Sequence, residues 1–268
     1  MKKKELILVL ALAAFMIQGL QAQTKFILNP EIGVQTSRLK ATGDLDESSV
    51  FPNQEVDYSS IFSYNGGVNF GVQFGGHWSL MTGVKFNRKG GRVTVEARDP
   101  QNAFPILQPD GTVVGDLGEI TRTSTHNWLS IPVLAGAEFG DKLKVGLGIG
   151  PQFNIGLGEY KIVTEYNLDN NNFPTEEDTD EFGDGASNVY KGSHTSLLVI
   201  PYVAYQLNEQ SSIRFTLMIE SGSDMINENL VVGTANGSRN VSGTLKNNQF
   251  GISIGYVHTF DMNVGVKY

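Results

Sequence analysis

The stretch from residue 143 to residue 158 alternates two kinds of side chain without interruption. Even positions carry glycine, an amide or lysine, and odd positions carry the apolar residues Leu143, Val145, Leu147, Ile149, Pro151, Phe153, Ile155 and Leu157. Because successive side chains of a β-strand point to opposite faces, this pattern predicts a strand with one hydrocarbon face and one polar face. Such a strand needs a partner for its hydrocarbon face, which is either a protein core or lipid.

The same period of two runs through much of the chain, and helical periodicity is nowhere convincing. The other alternating segments are 26–35, 68–74, 78–86, 129–139, 213–219 and 250–268. One further segment, 197–207, is apolar on both faces. Together with 143–157 they predict eight strands. Four prolines fall inside these segments, and each removes a hydrogen bond of the sheet, so we expect local bulges at Pro30, Pro132, Pro151 and Pro201.

The connections between these strands alternate strictly in length. Three of them contain only three residues, at 75–77, 140–142 and 208–210. The others are long, at 39–58, 98–118, 163–192 and 225–246. Long loops count against a compact soluble domain, whereas short periplasmic turns and long outside loops are typical of outer-membrane barrels. We therefore predict an all-β fold, an eight-stranded antiparallel up-and-down transmembrane β-barrel with short periplasmic turns and long extracellular loops.

In such a barrel the apolar faces contact lipid and the glycine-rich faces line a narrow lumen. The inner glycines would make room for larger inward residues of neighbouring strands, such as Lys85, Tyr202, Arg214 and Glu220. A set of aromatic residues beside the short turns predicts an interfacial girdle at that end: Phe26, Phe74, Trp78, Phe139, Tyr205 and Tyr268.

The short turns also predict the register of the strands that they join. Phe74 is expected to face Trp78, and Phe139 to face Leu143. The second pairing would set Glu138 opposite Lys144 on the polar face. A slip of one residue would turn charged side chains toward lipid, so the parity of the pairing should be firm.

The N-terminus predicts export. Three lysines precede an apolar run from Leu6 to Ile17, which is too short for a transmembrane helix and is typical of a secretory signal peptide. We expect residues 1–22 to be removed after Ala22 and residues 24–268 to form the barrel in the outer membrane. The chain has a net charge of −8, and losing three lysines and Glu5 makes it −10, which argues against nucleic acid as a partner.

The segment Asn127–Gly140, NWLSIPVLAGAEFG, resembles the Leu-x-Ile-Pro strand of the PorT-like outer-membrane β-barrel proteins of Bacteroidetes. Leu129, Ile131 and Pro132 match the motif positions. The resemblance implies an eight-stranded barrel over most of the mature chain. It also implies a possible connection with secretion, because some relatives take part in gliding and type IX secretion while most have no assigned role.

Candidate chemistry is sparse. His126 lies near Ser124 and Ser130, and His194 follows Ser193, which suggests a membrane hydrolase, but no strained nucleophile turn accompanies them. The acidic segment 169–184 suggests a calcium site, yet an EF-hand register from Asp178 fails because Phe182 occupies a ligand position. We therefore predict no catalytic, cofactor-binding or metal-ligating residue, and a solvated acidic loop.

The pattern favours a non-enzymatic barrel with a structural or partner-docking role at the cell envelope. Its expected partners are outer-membrane lipid and lipopolysaccharide, and another envelope or secretion protein bound through the four long loops. The alternatives are a small outer-membrane pore and a membrane-embedded hydrolase. A soluble lipocalin-like carrier is the rival fold, in which the apolar faces would turn inward around a ligand.

Overall fold

The computed structural model describes residues 24–43, 55–98, 101, 103–107, 113–170, 173–182, 190–225, 231–234, 237–240 and 243–261. The predicted signal peptide, residues 1–22, lies outside these ranges. The described residues contain fifteen strands: β1 (Lys25–Gly43), β2 (Glu55–Ser59), β3 (Ile61–Phe74), β4 (Trp78–Ala97), β5 (Phe104–Leu107), β6 (Val113–Asp116), β7 (Gly118–Phe139), β8 (Leu143–Gly156), β9 (Glu159–Leu168), β10 (Glu176–Glu181), β11 (Ser193–Asn208), β12 (Ser211–Asp224), β13 (Val231–Thr234), β14 (Gly237–Asn240) and β15 (Gly243–Asp261). Within the described ranges, the structure has no helix long and apolar enough to cross a membrane.

Eight of these strands form a closed antiparallel ring in the order β1, β3, β4, β7, β8, β11, β12 and β15. Each ring strand pairs with the ring strand that precedes it in the chain, and β15 pairs with β1 from Lys25–Asp261 to Gly43–Gly243. The eight predicted strands are therefore confirmed as the ring. β15 begins at Gly243, before the predicted start of the last strand at residue 250, and it is described as far as Asp261. The rest of that predicted strand, residues 262–268, lies outside the described ranges.

The two faces of the ring strands have the predicted orientation. Along β8, Leu143, Val145 and Leu147 are exposed on the outside, whereas Gln152 and Asn154 are buried inside. This arrangement contradicts the lipocalin-like alternative, since a carrier would line its interior with the apolar set. The outward apolar residues form one continuous zone, which we call the apolar band, over residues 26–34, 62–74, 78–86, 129–139, 143–157, 197–207, 213–219 and 250–260 of the ring strands.

The bulges expected at four prolines are absent. At Pro201, for example, β11 keeps a constant register with β8, and its pairing with β12 stops at Val199 and resumes at Tyr202 without a shift. A proline lacks one donor, so one ladder is interrupted locally while the other holds the strand in register. The register shifts that do occur within the described ring lie elsewhere, at Gln206–Asn208 and Ser221–Asp224.

The turn registers are confirmed in one case and differ in the other. Phe74 pairs with Trp78 as predicted. Phe139 pairs with Val145 rather than with Leu143, so the connection along this ladder contains five residues instead of three, among them Gly140 with a φ of 108°. On the other edge of β8, Leu143 pairs with Tyr205. The shift is two residues, so it preserves the parity and every side chain keeps its predicted face.

The long connections contain more strand than the sequence predicts. β4 and β7 continue past the apolar band and pair from Arg88–Asn127 to Ala97–Gly118. β2 adds to the edge of β4, and β9 and β10 add beyond β7, which gives a five-stranded sheet at the long-loop end; we call it the β-extension. β5 with β6, and β13 with β14, form separate two-stranded sheets. Strands that are polar on both faces do not show the apolar alternation that reveals the ring strands.

Candidate functional site

Charged side chains fill the interior of the ring at its short-turn end. Glu138 binds two cations, with Lys144 Nζ 3.0 Å from its Oε1 and Arg214 Nη2 3.5 Å from its Oε2. The Arg214 guanidinium also lies over the ring of Tyr202, 4.1 Å from the ring centroid. The predicted pair of Glu138 and Lys144 therefore forms, as a diagonal contact, and Arg214 and Tyr202 point inward as expected.

Two further ion pairs are buried deeper in the ring. Lys85 pairs with Glu31, and Lys89 pairs with Glu220. Lys89 Nζ also donates a hydrogen bond to Asn154 Oδ1 at 3.0 Å. Removing charges from water is costly unless each is paired and hydrogen-bonded. Each of these charges has its counter-charge inside the ring, and Glu220 Oε2 alone among these carboxylate oxygens has no hydrogen-bond partner within the described residues.

Inner-face glycines provide the space for these large side chains. A Cβ placed on Gly146 would lie 2.2 Å from Cζ of Tyr202, and one on Gly148 would lie 2.7 Å from Cγ1 of Ile200. Both distances are too short for a real contact. The glycines on the polar face of β8 are therefore required because Tyr202 and Ile200 of β11 occupy the space that a side chain would need.

A layer of hydrocarbon lies between Arg214 and the Lys89–Glu220 pair. Met218 occupies the inward position of β12 between Arg214 and Glu220. It packs in a buried cluster with Ile27, Met81, Leu134, Leu198, Ile200 and Val257. Beside Lys144 and Arg214, the interior contains a cavity of about 40 Å³, which has room for only a few water molecules.

Aromatic rings close the long-loop end of the interior. We call them the aromatic cluster: His126, Trp128, Tyr160, Phe182, Tyr190 and His194. Trp128 is completely buried, with its ring centroid 4.6 Å from that of His194 and 4.7 Å from that of Phe182. His126 lies 4.2 Å from Tyr190, measured between ring centroids. Phe182 belongs to the acidic segment that the sequence predicts to be a solvated loop, and it packs against the cluster instead.

His126 lies beyond the apolar band on β7 and pairs with Lys89 beyond the band on β4. Burial lowers the pKa of His126 to about 3, and the nearby His194 and Lys89 act in the same direction. Within the described part of the chain, His126 Nδ1, His194 Nε2 and the Trp128 indole nitrogen have no hydrogen-bond partner.

The arrangement around His126 lacks the elements of a hydrolase. Ser124 Oγ lies 2.7 Å from His126 Nε2, so the structure brings this predicted pair together, but Ser124 also contacts the Tyr190 hydroxyl at 3.1 Å and is buried. In the described residues no carboxylate reaches His126 Nδ1, where a triad needs an orienting acid. Ser130 bonds to Asn154 instead.

The described part of the acidic segment contains an exposed strand, β10. All six residues of β10 are exposed, and Asp178 and Asp180 pair along β9 in extended backbone. An EF-hand needs a compact turn at these positions. Its neighbours compensate part of the charge, since Lys161 Nζ lies 2.5 Å from Glu177 and the Tyr160 hydroxyl donates to Asp180 at 2.9 Å. In the ranges given above, no three potential ligands come together to hold a metal ion.

Sequence reasoning missed Lys89 and the aromatic cluster as a unit. Lys89 has the same parity as the inward Lys85, so continuing the alternation of β4 past Phe86 would have predicted that it points inward. The cluster assembles rings from β7, β9, the end of β10 and the start of β11, which no local pattern connects.

Comparison with known proteins agrees with this architecture. A family model described as "Outer membrane protein beta-barrel domain" matches residues 21–187, more than half of the chain. Among solved structures, the protein is similar to Neisserial surface protein A (11% identity, TM-score 0.34, covering 88% of this chain and 97% of that one) and to OprG from Pseudomonas aeruginosa (11%, 0.42, 90% and 97%). It is also similar to the outer-membrane protease OmpT from Escherichia coli (10%, 0.43, 88% and 97%). These scores are too low to support a functional argument, and no curated protein matches.

Proposed function

The chain belongs to the outer membrane protein β-barrel domain family, and from this premise we propose that it is a non-enzymatic, non-conducting barrel that docks another envelope protein. The docking surface in this proposal is the β-extension. The Leu-x-Ile-Pro strand at residues 129–132 supports a place in the PorT-like branch of Bacteroidetes, and with it a partner that belongs to a secretion system.

The proposed orientation puts the short turns in the periplasm and the β-extension outside the cell, as in other barrels of the outer membrane. The signal-like segment 1–22 supports export to that membrane. Aromatic contacts at the short-turn end are consistent with a membrane interface there, since Phe26 packs on Phe260 with ring centroids 6.1 Å apart and Lys142 lies over the ring of Tyr205.

A filled interior is the observation that carries the proposal. An eight-stranded barrel leaves an interior that side chains can fill, and here ion pairs and a hydrocarbon layer occupy it. An ion crossing this path would have to separate buried pairs and pass the apolar layer around Met218. The interior therefore has the composition of a packed core, which favours a scaffold over a pore.

The β-extension offers a broad surface to a partner. On its outer face, one row of paired residues crosses four strands: Asp57, Thr94, Thr121 and Glu165. The Thr94 and Thr121 hydroxyls are 3.1 Å apart, and Asp57 and Glu165 are exposed at the two ends of the row. The exposed acidic side chains at the two ends of this row suit a protein partner with complementary basic groups.

Two measurements test the proposal together. Purified protein in planar lipid bilayers should give no steady channel conductance. In intact cells, a photo-crosslinking residue at Asp57 or Glu165 should give discrete adducts, and one at Glu209 in a short turn should not. Stable conductance would favour the pore, and equal crosslinking from Glu209 and Glu165 would remove the β-extension as the docking surface.

A further inference from the structure

A cluster of basic side chains lies on the outside of the ring, just beyond the apolar band at the long-loop end. We call Arg38, Lys40 and Lys246 the basic patch. All three are exposed, and the strand register sets Lys40 directly opposite Lys246, with Arg38 two residues away on the same face of β1. Two cations in directly opposed positions of a sheet repel each other, and an anion bound between them would relieve that repulsion.

The basic patch is not neutralised within the described part of the protein. Other cations at this end have acidic partners there: Arg98 binds Glu96 at 2.7 Å, and Lys161 binds Glu177. No ion pair joins any residue of the basic patch to a described carboxylate. The backbone of β12 brings Asp224 into register with Lys246.

An apolar concavity begins below the basic patch on β1 and β15 and extends round the ring to Pro201 and Val203 of β11 and Val145 of β8. It has a volume of about 960 Å³ and is lined by side chains that include Ile32 and Val34 of β1, Ile252 and Ile254 of β15, Phe215 of β12 and Tyr64 of β3. β1 and β15 thus carry both features in sequence, with the hydrocarbon groove inside the apolar band and the cations immediately outside it. Arg88 adds a further cation at the groove's edge, 5.9 Å from the centroid of the Tyr64 ring.

We propose that the basic patch and the concavity together form a binding site for a phosphorylated lipid of the outer leaflet, the lipid A part of lipopolysaccharide. Its phosphate groups bind Arg38, Lys40 and Lys246, and its acyl chains lie in the concavity. The order of the two features along the strands matches the order of headgroup and acyl chain in a lipid. A soluble anion would need the cations but not the groove. This site is independent of the docking surface on the β-extension.

The test compares matched variants of the mature protein folded in detergent micelles. Binding of lipid A that carries both phosphates is measured by titration calorimetry in mixed micelles, alongside the same lipid without its phosphates. Lys40→Gln/Lys246→Gln should weaken binding of the phosphorylated lipid by about thirtyfold, from the electrostatic contribution of two cations at a membrane surface. The control Lys25→Gln/Lys142→Gln removes two charges at the opposite end and should change binding by less than about twofold.

Two further measurements test whether positive charge is enough for binding and whether the site binds lipid phosphate or any free phosphate. Lys40→Arg/Lys246→Arg should retain binding, and a folded, heat-modifiable band on unboiled gels verifies the structure of each variant. Equal weakening in both double Gln variants would overturn the proposal, as would equal affinity for the phosphate-free lipid. Competition by inorganic phosphate at the same concentration as lipid A would make this a free-anion site and overturn the assignment to lipid.

Discussion

Replacing Lys89 by methionine removes the cation of a completely buried ion pair and leaves Glu220 in the interior without its counter-charge. One Glu220 oxygen already lacks a partner among the described residues, so the carboxylate has little to replace the lost ammonium group. Breaking one side of a buried pair costs about 3–5 kcal/mol. With an m-value of about 3 kcal/mol per M urea, that loss lowers the unfolding midpoint by about 1–2 M.

The assay is urea unfolding of the protein folded in lipid vesicles, followed by the mobility of the unboiled band. A double variant, Lys89→Met/Glu220→Gln, removes both charges and should recover a substantial part of the loss, because neither group is then left as a lone charge. The control Lys161→Met breaks an exposed pair with Glu177 and should shift the midpoint only slightly. If Lys89→Met and Lys161→Met shift the midpoint equally, Lys89 and Glu220 are solvated and the interior is open.

Three other predictions concern the interior. Gly146→Val should destabilise the protein by about 1–3 kcal/mol in urea unfolding, because its side chain would overlap the Tyr202 ring, and a second change, Tyr202→Ala, should reduce that cost; an unchanged midpoint would contradict the packing. Burial lowers the pKa of His126 in the folded protein to about 3, so on acidification His126 of the unfolded chain takes up a proton at a higher pH than His126 of the folded protein. The stability that depends on neutral His126 is therefore fully present above pH 6.5 and is lost as the pH falls toward 3. At pH 5 this loss amounts to about 2 kcal/mol, and the midpoint of His126→Gln should depend less on pH; equal pH dependence would refute the assignment. Phe182→Ala should expose Trp128 and shift its fluorescence to longer wavelength when the other tryptophan is replaced by phenylalanine, whereas an unshifted spectrum would mean that Phe182 does not cover it.

The ring strands were predictable because each has one face that contacts hydrocarbon and one that contacts a packed interior. The alternation that this requires is local, and it assigned the correct face to Gln152 and Val145. The pairing register at the turns was harder to predict from the sequence. Phe139 takes Val145 rather than Leu143 as its partner, so five residues instead of the predicted three connect β7 and β8 along this ladder. The alternation continues through Leu143 and Lys144 and therefore does not reveal that these two residues pair only with β11, on the other edge of β8.

The contents of the interior were predictable only in part. Parity predicted the inward direction of Lys85 and Arg214, but it could not pair them with Glu31 and Glu138, since pairing depends on the curvature of the whole ring. The aromatic cluster depends on long connections folding back over the opening. A short-range pattern in the acidic segment contains no signal that Phe182 will pack inward.

The seam between β1 and β15 has a consequence for the order of assembly. It joins Lys25 to Asp261, so nearly the whole chain separates the two halves of one ladder. Contacts between residues so distant in sequence form slowly, because most of the chain must be arranged before they can be made. Before β15 pairs, β1 and β12 each have an edge with unpaired backbone N–H and C=O groups. The incomplete chain can therefore pair with strands of other chains and aggregate. Ending synthesis before residue 243 should therefore give aggregates rather than a smaller barrel, and supplying 243–268 as a separate peptide should rescue closure.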